Sequence, residues 1–201
     1  MQRILVVSDS HGRDENVQAA VDAAGRINAM IHLGDVGPNY QMVAQMARGV
    51  SAYIVRGNCD STSELMDRNI ISVAGHNIYA THGHRQQVNY DLEHISIAGL
   101  TMDVDFFIVG EVKGTEAVYL LNAAYTGQLC AATIHAPSAD KATDKLVDYC
   151  LAASKYTRNE LMKMLDCFKT LVFMEHYRVK EIFECKGWNE ETKNLIYERI
   201  L

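Results

Sequence analysis

Short apolar runs alternate with helical spacings through the first half of the chain. ILVV at Ile4 to Val7, MIHL at Met30 to Leu33 and YIV at Tyr53 to Val55 have strand length and β-rich composition, and polar residues or glycine follow each at once. Between them, Val17, Ala20, Val21 and Ala24 share one helical face closed by Gly25, and Met42, Val43 and Met46 share another before Gly49. The pattern predicts the order β-α-β-α-β, an α/β fold. ISVAGHNIYATHG then predicts two strands about a tight turn at Gly75, so parallel crossovers give way to a hairpin. Later, VDFFIV is an apolar strand ending at Gly110, Ser138 and Thr157 are candidate helix N-caps, and Thr157 with Glu160 forms a capping box. TLVFMEHYRVKEIFECKGW reads as paired strands.

With 48% apolar and 22% charged residues, the 201-residue chain can build a packed core. No apolar run approaches the ~20 residues of a membrane span, and MQRILVVSDS is too short in apolar residues for a signal peptide. A cytoplasmic chain without membrane insertion is expected. The net charge of -6 supplies no general basic field, so nucleic acid is not an expected partner and any phosphate chemistry must rest on metal or a local site. Cys59, Cys130, Cys150, Cys167 and Cys185 have no CxxC spacing, which points to buried or idle thiols rather than a disulfide framework or a zinc knuckle. All nine lysines lie from Lys113 onward, whereas every basic residue before Glu111 is arginine. That shift marks a candidate boundary.

The residues immediately after each strand carry the chemistry. The first strand ends in Ser8-Asp9-Ser10-His11-Gly12, the second in Leu33-Gly34-Asp35, the third in Arg56-Gly57-Asn58-Cys59-Asp60, and the hairpin in Thr81-His82-Gly83-His84. The carboxyl ends of neighbouring strands meet at one edge of an open α/β sheet, so Asp9, His11, Asp35, Asn58 and His82 are expected to converge. Carboxylate, imidazole and amide oxygen together suit manganese, iron, nickel or zinc better than calcium. Taken singly, Asp9 and Asp35 could be helix caps, Asn58 a turn residue, Arg56 a surface charge or a phosphate clamp, His32 a core residue and Cys59 a space filler.

The ordered set DxH, GD, GNxD and HGH resembles the calcineurin-like metallophosphoesterases, specifically small bacterial and archaeal phosphodiesterases whose first strand runs into SDSHG. The resemblance covers residues 1–92. It implies Asp9 and His11 at one metal, Asn58 and His82 at the other, Asp35 bridging both, and His84 orienting a small phosphoester substrate. Two divalent ions are implied, Mn2+ first, with Ni2+, Fe2+ or Zn2+ as alternatives. Two ions roughly 3.5 to 4 Å apart lower the pKa of a bridging water and neutralise charge during in-line attack, so no protein nucleophile is needed. The family closes its site with a GHTH motif after a further strand. Here that place reads Gly110-Glu111-Val112-Lys113-Gly114, so a nitrogen ligand to each ion is missing and impaired activity is expected. Glu111 could substitute as a carboxylate ligand.

A second resemblance covers residues 93–201. This part resembles the C-terminal portion of a type II/IV secretion or pilus-assembly ATPase. There an apolar strand ends in a GE motif (Glu111, the Walker B glutamate), a helix carries EA and ends in TG (Glu116 to Gly127), and the next strand ends in a TxH histidine box (His135). The resemblance implies that Glu111 poises water against a γ-phosphate while His135 senses it. No GxxxxGK[ST] occurs in the chain, so the phosphate cradle of Walker A is missing and no ATP hydrolysis is expected. Glu111 and His135 can then equally be strand-end residues.

The two resemblances together predict a chimera. A partial metallophosphoesterase αββα sandwich is fused to the C-terminal part of a P-loop, RecA-like ATPase domain, with the junction between Gln86 and Phe106. VDFFIVG suits the sheet of either parent. Three functions are carried forward. A metal-dependent phosphoesterase with an incomplete binuclear centre leads, followed by an ATPase-like module docking on secretion-motor subunits. The third is a non-catalytic fusion with exposed strand edges.

Overall fold

The computed structural model describes residues 2–83, 104–176 and 178–201. The chain divides into two compact units, the first comprising Met1–Arg85, Ala98–Glu111 and Ala131–Thr133, the second Gln86–Ile97, Val112–Cys130 and Ile134–Leu201. His84 and the boundary placed at residue 92 lie outside the described residues.

In the first unit β1 (Ile4–Val7), α1 (Asp14–Ala24), β2 (Ala29–His32), α2 (Tyr40–Gln45) and β3 (Ser51–Ile54) follow the expected order. The strands form a parallel sheet ordered β1-β2-β3. β4 (Arg68–Val73) and β5 (His76–Thr81) form the antiparallel hairpin. Its turn residues Ala74 and Gly75 have φ of 57° and 83°, the left-handed pair that a two-residue hairpin loop requires. β6 (Phe106–Val109) runs parallel to β5, and β7 (Leu129–Ala132) neighbours β6, giving a second sheet ordered β4-β5-β6-β7. The strand that suited either parent sheet therefore sits beside the hairpin.

Every residue of β2 is buried, because both faces of its sheet are covered. The pleat sends Met30 toward Val17 and Val21 of α1 and Val43 of α2. Ile31 points the other way and packs with Ile71, Ile78 and Ile108 between the two sheets. One strand thus carries both halves of the core.

His32 ends β2 and is fully buried. Its hydrogen bonds suit the neutral ring. The Gly34 amide donates to Nδ1 (3.3 Å), Nε2 stands 3.0 Å from Ser10 Oγ, and that hydroxyl donates to Val36 O (3.3 Å). Burial pushes its pKa down to about 4, with Asp60 and Asp35 opposing the shift and His82 and His11 adding to it. A histidine whose folded pKa is depressed binds its proton more readily when unfolded, so stability falls as pH drops from about 6.5 to about 4. The expected loss is roughly 3 kcal/mol over that window. Urea midpoints of metal-free protein at pH 7 and pH 4.5 test this, and His32→Gln, which keeps both a donor and an acceptor, should show the smaller acid loss. An equal loss in both proteins refutes it.

The second unit holds α3 (Glu116–Tyr125), α4 (Ala139–Ala153), α5 (Arg158–Met164) and an antiparallel sheet ordered β10-β9-β8. β8 spans Thr170–Glu175, β9 Arg178–Asn189 and β10 Asn194–Arg199. α3 buries Ala117, Leu120, Leu121 and Ala124, a spacing that leaves one continuous apolar face. The Thr157–Glu160 capping box forms in full, whereas Ser138 caps α4 by position without a side-chain bond. Among the described residues no helix is long and apolar enough to cross a membrane.

Candidate metal centre

The backbone ladder continues past the strand ends and aligns residues that are far apart in sequence. Beyond β1 and β2, Asp9 N donates to Gly34 O (3.0 Å) and His11 N to Asp35 O (2.8 Å). Beyond β5 and β6, Gly110 N donates to Thr81 O and Glu111 N to His82 O, both at 2.8 Å. Asp9, His11 and Asp35 have φ of 55°, 48° and 53°, in the left-handed region. That conformation costs an L-residue roughly 1–2 kcal/mol, and such strain gathers at functional sites.

Asp35 lies at the centre. Its Oδ1 accepts from the Cys59 amide (2.8 Å), while Oδ2 stands 3.7 Å from His82 Nε2 and 3.8 Å from His11 Nε2. Burial pushes the Asp35 carboxyl up, but the Cys59 amide with His82 and His11 outweighs it and holds the group below the usual range. Asp9 places Oδ1 4.0 Å from His11 Nε2, and its Oδ2 is met by the Ser8 hydroxyl.

His82 is fully buried, with Nδ1 2.7 Å from Leu33 O. A carbonyl only accepts, so Nδ1 donates to it. Nε2 faces Asn58 Oδ1 at 3.2 Å and Asp35 Oδ2 at 3.7 Å. A backbone carbonyl on Nδ1–H is the usual orienting partner of a metal-ligating histidine. The donors gather in two groups whose ligand atoms lie within 4.8 Å of one another. One is Asp9, His82 and Glu111, the other His11, Asp35 and Cys59. Carboxylates, imidazoles, an amide oxygen and a thiol fit a borderline divalent ion.

The strand ends thus bring together Asp9, His11, Asp35, Asn58 and His82, and Glu111 joins them. His135 belongs to the second unit, where it is exposed and its carbonyl accepts from Lys145 Nζ (2.7 Å). Arg56 pairs with Asp67 (Nη2–Oδ1 2.6 Å). Cys59 does not fill space in a core; its exposed thiol belongs to the second donor group. Asp60, the last residue of GNxD, is a clamp that sequence reasoning missed. It accepts from Gly37 N (2.9 Å) and Gly57 N (2.8 Å), tying the loops after β2 and β3 together. Its only signal was an acid three residues after a turn glycine.

The calcineurin-like phosphoesterase superfamily domain matches residues 2–112, and the type II/IV secretion system protein family matches residues 62–167. The chain belongs to both families. Probable metallophosphoesterase YsnB of Bacillus subtilis is 27% identical over 118 residues, covering 57% of this chain and 68% of that protein. A conserved predicted phosphoesterase from Streptococcus pneumoniae is 24% identical with a TM-score of 0.45, and the match covers 54% of this chain and 61% of that one. The chain therefore spans less than two thirds of that relative's length. The VirB11 ATPase of the Brucella suis type IV secretion system is 12% identical with a TM-score of 0.45, over 96% of this chain and 49% of that chain. Phosphoesterases of this superfamily use divalent metals. Residues 62–112, from the hairpin to Glu111, lie in both family matches.

Proposed function

We propose that the chain is a metal-dependent phosphoesterase acting on a small phosphodiester or phosphate monoester at the edge formed by Asp9, His11, Asp35, Asn58 and His82. The observation supporting this most directly is the buried His82, whose Nε2 lies 3.2 Å from Asn58 Oδ1 and 3.7 Å from Asp35 Oδ2, the strand-end donors from three different segments. Two divalent cations, Mn2+ first, would supply charge for the phosphate oxygens and lower the pKa of the attacking water. Asp35 holds the centre of the site, one oxygen fixed by the Cys59 amide and the other facing both imidazoles. His11 and His82 both present Nε2 to its free oxygen, Asp9 stands beside His11, and Asn58 stands beside His82. The left-handed backbone at Asp9, His11 and Asp35 sets the direction in which those side chains leave the chain. With no GHTH motif, turnover is expected to be slow.

Hydrolysis of bis(p-nitrophenyl) phosphate with and without Mn2+ tests this. Mn2+-dependent release of nitrophenolate, reduced at least roughly 100-fold in Asp35→Asn, is expected. Absence of metal-dependent release together with no Mn2+-induced rise in Tm sinks the proposal.

A further inference from the structure

We infer that Glu111 is itself a metal ligand, completing with Asp9 and His82 the cation site that the proposed phosphoesterase activity requires. The inference rests on that functional reading and on four observations. First, one carboxylate oxygen of Glu111 lies within 4.8 Å of ligand atoms from both Asp9 and His82. Second, Glu111 is 4% exposed, so its side chain lies inside the molecule beside the other donors rather than in solvent. Third, its position is dictated by backbone, because Glu111 N donates to His82 O at 2.8 Å, one step beyond the β5–β6 register.

Fourth, the surrounding backbone admits no side chain that would push the group away. A Cβ at Gly83 would collide with Glu111 O, and one at Gly110 would stand 2.7 Å from Leu33 O and 3.1 Å from His82 Nδ1. Two glycines on adjacent strands thus let residue 111 approach the histidine. The geometry gives Glu111 a task at the phosphoesterase edge, and one that needs no bound nucleotide. A carboxylate in place of a neutral nitrogen makes the ligand set more anionic, which favours a harder, oxygen-loving ion such as Mn2+ over a softer one.

Mn2+ titration followed by the loss of the free-ion EPR signal, on the full chain and without substrate, decides the matter. Wild type, Glu111→Gln and Glu111→Asp are compared, with Asp35→Asn as reference. Glu111→Gln is expected to weaken Mn2+ binding at least roughly 10-fold, and Glu111→Asp, which keeps the charge on a shorter arm, to fall between it and wild type. If wild type binds no Mn2+, the functional reading itself fails. If wild type binds and Asp35→Asn is weakened while Glu111→Gln matches wild type, the functional reading stands and Glu111 is not a ligand. Should Glu111→Gln fail to fold, Glu111→Asp decides, and wild-type affinity there overturns the inference.

Discussion

Gly57→Ala is expected to weaken Mn2+ binding and to lower metal-dependent turnover roughly 100-fold. A methyl group built on Gly57 would overlap the carboxylate of Asp35 and also meet its backbone nitrogen. Gly57 does not occupy the left-handed region, so the effect comes from volume alone. Neither party can give way cheaply. Gly57 N is tied to Asp60 Oδ2 at 2.8 Å, and Asp35 is held by the Cys59 amide on its side chain and by His11 N on its carbonyl. Displacing Asp35 by about an ångström would cost roughly 100-fold in turnover and about 1–3 kcal/mol in stability through overpacking. Gly114→Ala is the control, since among the described residues its added methyl meets only Glu116 Oε2 at 3.3 Å. Isothermal titration with Mn2+ and urea unfolding measure both effects. Wild-type Mn2+ affinity in Gly57→Ala would contradict the placement of Asp35.

Much of this site was legible because its chemistry follows its strands. Short apolar, β-rich runs located β1, β2 and the hairpin, and the polar residues after each run named Asp9, Asp35 and His82. The turn at Gly75 was legible for the same reason, since only a narrow set of residues tolerates its backbone. Register and loop closure were harder to read. Nothing in GNxD distinguishes Asn58, whose side chain faces His82, from Asp60, whose carboxylate binds two backbone amides. Cys59 looked inert because a thiol's role depends on which loop it faces. β10 was missed because NLIYER is short and its exposed Ile196 blurs the apolar alternation. Glu111 was the hardest, since its sequence context fits a Walker B strand while its neighbours in space are Asp9 and His82.

That double fit has a physical basis in β6. Both families place an apolar strand before a short glycine turn, and a parallel strand buried on both faces carries little information about which sheet it should join. The partner at its side selects the sheet. β5 offers Ile78 to Thr81 in register with Phe106 to Val109, and Ile108 fills the space beside Ile31, Ile71 and Ile78. Thr133 N then donates to Val109 O at 3.4 Å and extends the ladder on the outer side of β6.

The pairing of β6 with the hairpin is testable at Phe107, which is expected to be the most costly single truncation in the first unit. The side chain is 2% exposed and its ring lies 5.9 Å, centroid to centroid, from Tyr79, its register partner on β5. Phe107→Ala removes the buried ring and leaves a cavity, a change that costs about 3–5 kcal/mol. Tilted aromatic neighbours add roughly another 0.5–1.5 kcal/mol beyond their buried area, so the loss should lie toward the upper end. Urea unfolding followed by far-UV circular dichroism reads the size of the effect, and hydrogen exchange of the β5 amides reads its location. Protection at Ile78 to Thr81 should fall in the variant, because those residues depend on β6 for their outer hydrogen bonds. A change within about 0.5 kcal/mol, with β5 protection intact, would mean that Phe107 is not packed in a core and that β6 does not sit beside the hairpin. The ladder carrying Glu111 to His82 would then have no support, because residue 111 reaches the metal centre only through the register of that strand.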